Sequence, residues 1–398
     1  MFDKSFLLGA ATAAHQVEGN NIHSDFWSLE QDKNGGFKEP SLDAIDHYNL
    51  WKEDITLLKE AGLNAYRFSI EWARIEPEEG VFDQKELDHY KAVLEFCRSI
   101  EVEPIVTLHH FSSPKWLTDK GGWENPQTID FFARYCKHAT QSLGHLLGYV
   151  CTINEANMGL QLSAIIARYL KQMGGNVQVG VNLDARKKYN TFLTPRTAEA
   201  DILVMKAHQQ AKIAIKEIFP NLKVGLTLSL HDLQAEPGGE EAAEREWNNE
   251  FLLYLPYFKD DDFLGVQNYT REVFGKDGIQ AVPKGNELTQ ADYEFYPEAL
   301  EHVLRRVAQS FKGDLIVTEN GIASTDDSRR VEFIRRAIAG VQSCIASGLP
   351  IKGYMHWSLI DNFEWQQGFK PKFGLIAVDR TTQARFPKES LGFLGSMR

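Results

Sequence analysis

Eight short runs of apolar and β-branched residues punctuate the chain: SFLLGAAT from Ser5, AYRFSI from Ala65, EPIVTLHH from Glu103, YVCTINEA from Tyr149, KVGLTLSL from Lys223, FLGVQNYT from Phe263, LIVTENGI from Leu315 and IKGYMHWSLI from Ile351. Near-continuous hydrophobicity suits strands covered on both faces, as in a parallel sheet. Nearly all the runs are separated by stretches with helical periodicity. Between the first two, Tyr48, Trp51, Ile55 and Leu58 lie three or four apart and give one apolar stripe on a helix that stops near Gly62. Comparable patterns predict helices over 84–99, 126–143, 197–219, 297–311 and 328–347.

Strand and helix alternating in this way predict an α/β fold closed as a single (β/α)8 TIM barrel. A doubly wound open sheet is the competing arrangement, but no G-x-G-x-x-G follows the first strand. No linker rich in Pro, Gly or Ser divides the chain, so one domain over 1–398 is expected, with a short connection between strands five and six at about 231–262.

In such a barrel the chemistry sits at the C-terminal strand ends. These ends are unusually polar. The first strand runs into His15, Gln16 and Glu18, and the second carries Arg67 and leads to Glu71 and Trp72. The third ends in His109 and His110, the fourth in Asn154 and Glu155, and the sixth in Gln267, Asn268 and Tyr269. The seventh ends in Glu319 and Asn320, and the eighth is followed by Trp357, Asp361, Asn362, Glu364 and Trp365. One polar end is ordinary; seven of the eight imply a lined pocket. Arg67, inside an apolar strand, requires a carboxylate partner, because an unpaired buried guanidinium is costly. Trp72, Trp357 and Trp365 read either as core or as rings that stack on a sugar whose hydroxyls meet neighbouring Asn, Asp and Glu. His109 and His110 could pair on a metal, yet adjacent strand residues point to opposite faces and no third ligand is evident.

The charge narrows the partners. The 55 acidic residues against 43 basic ones give a formal charge of −12, a field that disfavours nucleic acid and anionic membranes and leaves neutral small molecules as the expected substrates. The four cysteines, Cys97, Cys136, Cys151 and Cys344, form no C-x-x-C pair. MFDKSFLLGAATAAHQ has no basic leader and reads as a strand, and no run of 18 uncharged apolar residues occurs, so a cytoplasmic protein is expected, its oligomeric state unknown.

Glu155 and Glu319 close strands four and seven, and in a closed barrel they are expected to face each other across its mouth. Such a pair is what glycoside hydrolysis needs: one carboxyl protonated to donate to the leaving oxygen, the other ionised to attack or to activate water. Arg67 would keep one ionised, and less charged surroundings would keep the other protonated.

The motifs resemble glycoside hydrolase family 1, the retaining β-glucosidases and β-galactosidases, from the first strand to beyond the last. The matching segments are GAATAAHQVEG, YRFSIEWARIEP, TINEA, VTENG, HWSLIDNFEWQQGF and KFGLIAVD. The resemblance implies Glu319 as nucleophile and Glu155 as acid/base, with Asn154 at the sugar 2-hydroxyl. It implies Gln16, His110, Glu364 and Trp365 at the other hydroxyls, Trp357 as the platform under the ring, and Arg67 and Tyr269 as the groups that orient and charge the nucleophile. No metal or organic cofactor is implied. Relatives that act on 6-phosphorylated sugars carry serine at the Glu364 position, then lysine and tyrosine where this chain has Pro371 and Phe373, so a free sugar is favoured. Ala156 replaces the usual proline after the acid/base, Phe111 stands where tryptophan is usual, and Gln267 and Asn268 replace the common Asn-Tyr. Besides a retaining β-glycosidase, a 6-phospho-β-glycosidase, a non-catalytic sugar-binding descendant and a metal-dependent barrel hydrolase remain as alternatives.

Overall fold

The computed structural model describes residues 2–172 and 190–398. The eight expected runs form eight parallel strands: β1 (Leu7–Ala11), β2 (Ala65–Ser69), β3 (Glu103–His109), β4 (Tyr149–Ile153), β5 (Lys223–Ser229), β6 (Phe263–Gln267), β7 (Asp314–Asn320) and β8 (Ile351–Trp357). Each pairs with its neighbours in sequence, and β1 pairs with both β2 and β8, so the sheet closes. Helices His47–Glu60, Gln84–Ser99, Thr128–Leu143, Ala198–Lys216, Ala299–Ser310 and Asp327–Ala346 lie on the stretches whose periodicity predicts them. Among the described residues, no helix is long and apolar enough to cross a membrane.

The period-two alternation of a strand divides the apolar residues into two cores. Leu8 and Ala10 of β1, with Tyr66 and Phe68 of β2, pack outward against the helices. Leu7, Ala11, Ala65, Ile105, Cys151, Ile316 and Met355 fill the inside of the barrel. Arg67 follows Ala65 by two residues and therefore also faces inward, with no solvent exposure. It lies above the apolar layers, where the barrel interior turns polar.

Two local features shape the mouth. The pairing of β7 with β6 shifts register between Val317 and Glu319, a local irregularity of the kind that re-aims a side chain at a strand end. Just beyond, a Cβ on Gly321 would come within 1.9 Å of the Trp357 carbonyl, so the Asn-Gly after Glu319 is needed for close approach of β7 to β8. The stretch between β5 and β6 holds a strand at Asp232–Ala235, a helix at Glu240–Trp247 and a single wide turn at Asn248–Leu252. The Asp232–Ala235 strand pairs with Arg271–Gly275, forming a small sheet beside the mouth.

Candidate active site

At the centre, Arg67 Nη1 donates to Glu319 Oε1 at 2.5 Å, and the Tyr269 hydroxyl donates to Glu319 Oε2 at 2.6 Å. Arg67 Nη2 donates to Asn154 Oδ1 at 2.5 Å, Nε to Thr107 Oγ1 at 3.2 Å, and Nη1 also to the Thr318 carbonyl at 3.2 Å. The inward guanidinium thus has the carboxylate partner its burial demands. Asn154 Oδ1 additionally accepts from Gln267 Nε2 at 2.8 Å and Thr227 Oγ1 at 3.2 Å, which leaves the Asn154 amide nitrogen to donate to His110 Nε2 at 3.2 Å.

Glu155 sits one residue past Asn154 with φ +42°, a left-handed conformation uncommon outside glycine. The surrounding backbone holds it there. Its N–H donates to Thr227 Oγ1 at 2.9 Å, the Asn154 N–H to the His109 carbonyl at 2.8 Å, and the Ala156 N–H to the Thr227 carbonyl at 3.0 Å. A proline at 156 would have no N–H for the last of these bonds, so the alanine adds a tie between β4 and β5.

The two carboxyls have unlike surroundings. Burial raises Glu155 to about 8, and the charge of Glu319 adds to that shift, opposed by Arg67 and His231. Burial also raises Glu319, but Arg67, Tyr269 and Gln267 act against it through charge and hydrogen bonds. When the pair shares one proton, Glu155 is therefore where it resides.

The remaining expected residues surround this pair. Gln16 Nε2 donates to the Phe363 carbonyl at 2.7 Å and to Asn362 Oδ1 at 3.0 Å. Among the described residues neither Gln16 Oε1 nor His110 Nδ1 has a hydrogen-bond partner, which leaves a buried acceptor and a buried ring nitrogen for a ligand. Burial and the nearby Arg67 hold His110 neutral, and its ring lies nearly parallel to Trp357, 5.7 Å between centroids. Trp365 stacks on His15 at 5.5 Å, and Phe373 meets Tyr269 edge-on at 6.1 Å. Desolvation pushes Glu364 up to about 8; Glu319 and Asp361 push the same way, while Trp357 and Gln16 oppose it.

The structure decides one reading that the sequence left open, agrees with a second and adds two residues. Trp72 faces outward, not into the mouth: it is 1% exposed, stacks on Tyr135 at 5.0 Å and donates its indole N–H to Glu76 Oε2 at 2.8 Å. The short helix Trp72–Ile75 after β2 turns it toward the surrounding helices. His109 and His110 occupy different surroundings, as strand alternation requires; His109 Nε2 bonds Ser113 Oγ at 2.9 Å among Trp123 and Phe192. Missed altogether were Tyr293, 6.3 Å ring to ring from Tyr269, and His231, whose Nδ1 bonds Glu250 at 2.7 Å. Both come from connections without periodicity; His231 sits two residues past the end of β5, a position that strand-end counting extended by one turn would have reached. Among the described residues His231, Glu250 and Glu272 form one trio whose ligand atoms lie within 4.8 Å of one another, but two of its members already bond each other.

The model of glycosyl hydrolase family 1 matches residues 1–284 and 262–398 of this chain. The β-glucosidase A of Thermotoga maritima is 30% identical over 447 aligned positions, covering 98% of this chain and 96% of that protein. A solved β-glycosidase superposes with TM-score 0.91 at 45% identity, over all of this chain and 96% of the other. A Thermotoga maritima β-glucosidase in complex with deoxynojirimycin superposes with TM-score 0.84 at 27% identity, over all of this chain and 98% of the other. With a closed eight-stranded barrel, an arginine-held carboxylate and a second carboxyl beside it, the chain belongs to glycosyl hydrolase family 1 and is a glycoside hydrolase of the β-glycosidase type.

Proposed function

We propose that the protein removes terminal β-D-glucosyl residues, and β-galactosyl residues, from the non-reducing end of small glycosides by double displacement with retention. The observation that carries this reading is the asymmetry of the carboxyl pair: Glu319 is held by Arg67 and Tyr269, while Glu155 is raised to about 8. In the first step a Glu319 oxygen attacks the anomeric carbon as the glycosidic C–O bond breaks, and Glu155 gives its proton to the leaving oxygen. In the second step Glu155, now ionised, takes a proton from water; the water oxygen bonds the anomeric carbon and the bond to Glu319 breaks. Asn154 is placed by its three donors to offer its amide N–H₂ to the 2-hydroxyl, where hydrogen bonds strengthen in the transition state. Gln16, His110, Glu364 and Trp365 take the other hydroxyls, Trp357 lies under the ring, and Phe373 closes the side where a phosphate-binding tyrosine would stand.

A 6-phosphorylated sugar is disfavoured because Glu364, desolvated and raised to about 8, offers a phosphate no positive charge, Pro371 and Phe373 supply no cation in its place, and a phosphate dianion buried without one is costly. A cytoplasmic location is part of the same proposal, supported by four buried, unpaired cysteines. The reading is tested by proton NMR of the sugar first released from p-nitrophenyl β-glucoside. The β-anomer appearing first is the expected result; the α-anomer first would exclude the covalent route through Glu319.

The pH dependence follows from the same pair. Glu155 acts as acid only while protonated, so kcat/KM should be sustained up to about pH 8 and then fall about tenfold per pH unit above it. A rate profile recorded with a β-glucoside of poor leaving-group ability checks this, and a limb already complete below pH 6 would contradict it.

A further inference from the structure

Trp365 has a φ of +50°, a left-handed conformation that is strained for a bulky side chain and persists only where the surroundings fix it. Its ring is half-buried. Among the described residues four rings lie around it, and His15 is the one whose plane it shares, 3° apart at 5.5 Å. His110 lies 16° off that plane, while Phe26 and Phe111 are tilted by 57° and 59°.

The His15 ring is itself locked. It is 1% exposed, its Nε2 bonds Glu30 Oε1 at 2.6 Å and its Nδ1 meets the Asn21 amide at 3.0 Å, so bonds at two corners fix its plane. Glu30 is fixed in turn, its other oxygen accepting from the Ser41 N–H at 2.8 Å and the Ser41 hydroxyl at 2.6 Å. The neighbouring acids are bound elsewhere: Asp25 accepts from the Phe26 and Ser113 N–H groups, and Glu71 from the Ser112 hydroxyl. Burial opposes a charge on His15, but the charge and hydrogen bond of Glu30, helped by Glu71 and Asp25, outweigh it and raise the imidazole above its ordinary value. A buried ion pair of this kind adds little stability over an apolar filling of the same volume, which points to orientation as its contribution. The two chain segments are also held in step. Gln16, next to His15, accepts from the Phe363 N–H at 3.2 Å and donates through its side chain to the Phe363 carbonyl at 2.7 Å, two residues before Trp365.

We propose that His15, locked by Glu30, is a positioning residue for the sugar: by holding the plane of Trp365 it aims the indole N–H at one hydroxyl of the bound glycone. The inference rests on the β-glycosidase reading and gives a role to two buried residues that act through that ring. The experiment measures kcat/KM for p-nitrophenyl β-glucoside and its 3-, 4- and 6-deoxy analogues. Wild type is compared with His15→Leu, Trp365→Phe and their double variant, and with Glu30→Gln alone and combined with Trp365→Phe; Glu30→Gln keeps the His15 ring and an acceptor for it. Circular dichroism establishes that each variant is folded, and where His15→Leu is not, the Glu30→Gln pair decides on the same criteria.

The expected result is that His15→Leu lowers kcat/KM for the parent glucoside about tenfold, and that the loss shrinks to within about twofold for the one deoxy analogue lacking the hydroxyl that Trp365 meets. Trp365→Phe identifies that hydroxyl independently, because its own loss is smallest on the same analogue. Added to Trp365→Phe, His15→Leu costs no more than about twofold further, since a residue that acts through another is silent once the other is gone. Glu30→Gln gives the same pattern with a smaller loss. A loss equal across all four substrates, a full tenfold loss on top of Trp365→Phe, or no loss in either His15→Leu or Glu30→Gln overturns the inference, while p-nitrophenol release by wild type leaves the glycosidase reading standing. No release by wild type overturns that reading, and this inference with it.

Discussion

Replacing Glu319 with glutamine is expected to lower kcat/KM for p-nitrophenyl β-glucoside by at least about 10⁴-fold, because it removes the attacking group and leaves nearly everything else in place. Glutamine has the same length and an oxygen that can still accept from Tyr269 or Arg67, so the shape of the pocket is retained. An amide has no charge to share with the anomeric carbon, and no covalent intermediate forms. Steady-state turnover of purified variant checks the result, with circular dichroism to establish that the chain is folded. Retention of more than about one hundredth of the activity would remove Glu319 from the role of nucleophile.

The second large effect concerns Arg67. Changing it to methionine keeps much of the side-chain length but removes donors to Glu319, Asn154, Thr107 and the Thr318 carbonyl at once. A buried carboxylate is then left without its counter-charge, which costs about 3–5 kcal/mol when one partner of a buried pair is lost. Urea unfolding should report that loss. Activity should fall as well, with a direction that can be stated. Arg67 acts to lower the proton affinity of Glu319, so its removal raises that affinity, and the acidic limb of the kcat/KM profile moves to higher pH. A loss under about 1 kcal/mol together with an unmoved acidic limb would mean that the pair does not hold the nucleophile's charge.

The barrel was legible in the sequence because parallel strands buried on both faces read as unbroken apolar runs, and each of the eight runs lies on a strand of the ring. The polar ends were legible for the complementary reason: Arg67, Asn154 and Glu319 interrupt apolar context and converge through direct hydrogen bonds. Trp72 was ambiguous because residue type alone does not say which way a short helix after a strand will turn its first side chain. Tyr293 and His231 lie on connections whose paths are set by packing between distant segments, such as the pairing of Asp232–Ala235 with Arg271–Gly275. A cavity between the Met158–Gln172 helix and the segment around residues 279–283 was invisible for the same reason, since these walls come from segments more than 100 residues apart.

Arg67 lies on β2, Asn154 directly after β4 and Glu319 on β7, and one guanidinium bonds both partners across the barrel interior. No contiguous part of the chain shorter than the span from β2 to β7 holds all three. Half-barrels made by cutting the chain between β4 and β5 would each carry one of the two carboxyls, and neither could assemble the charge asymmetry alone. Catalytic competence is therefore a property of ring closure, and in refolding it should return with the final association of the halves, after most of the local helix and strand content is already in place.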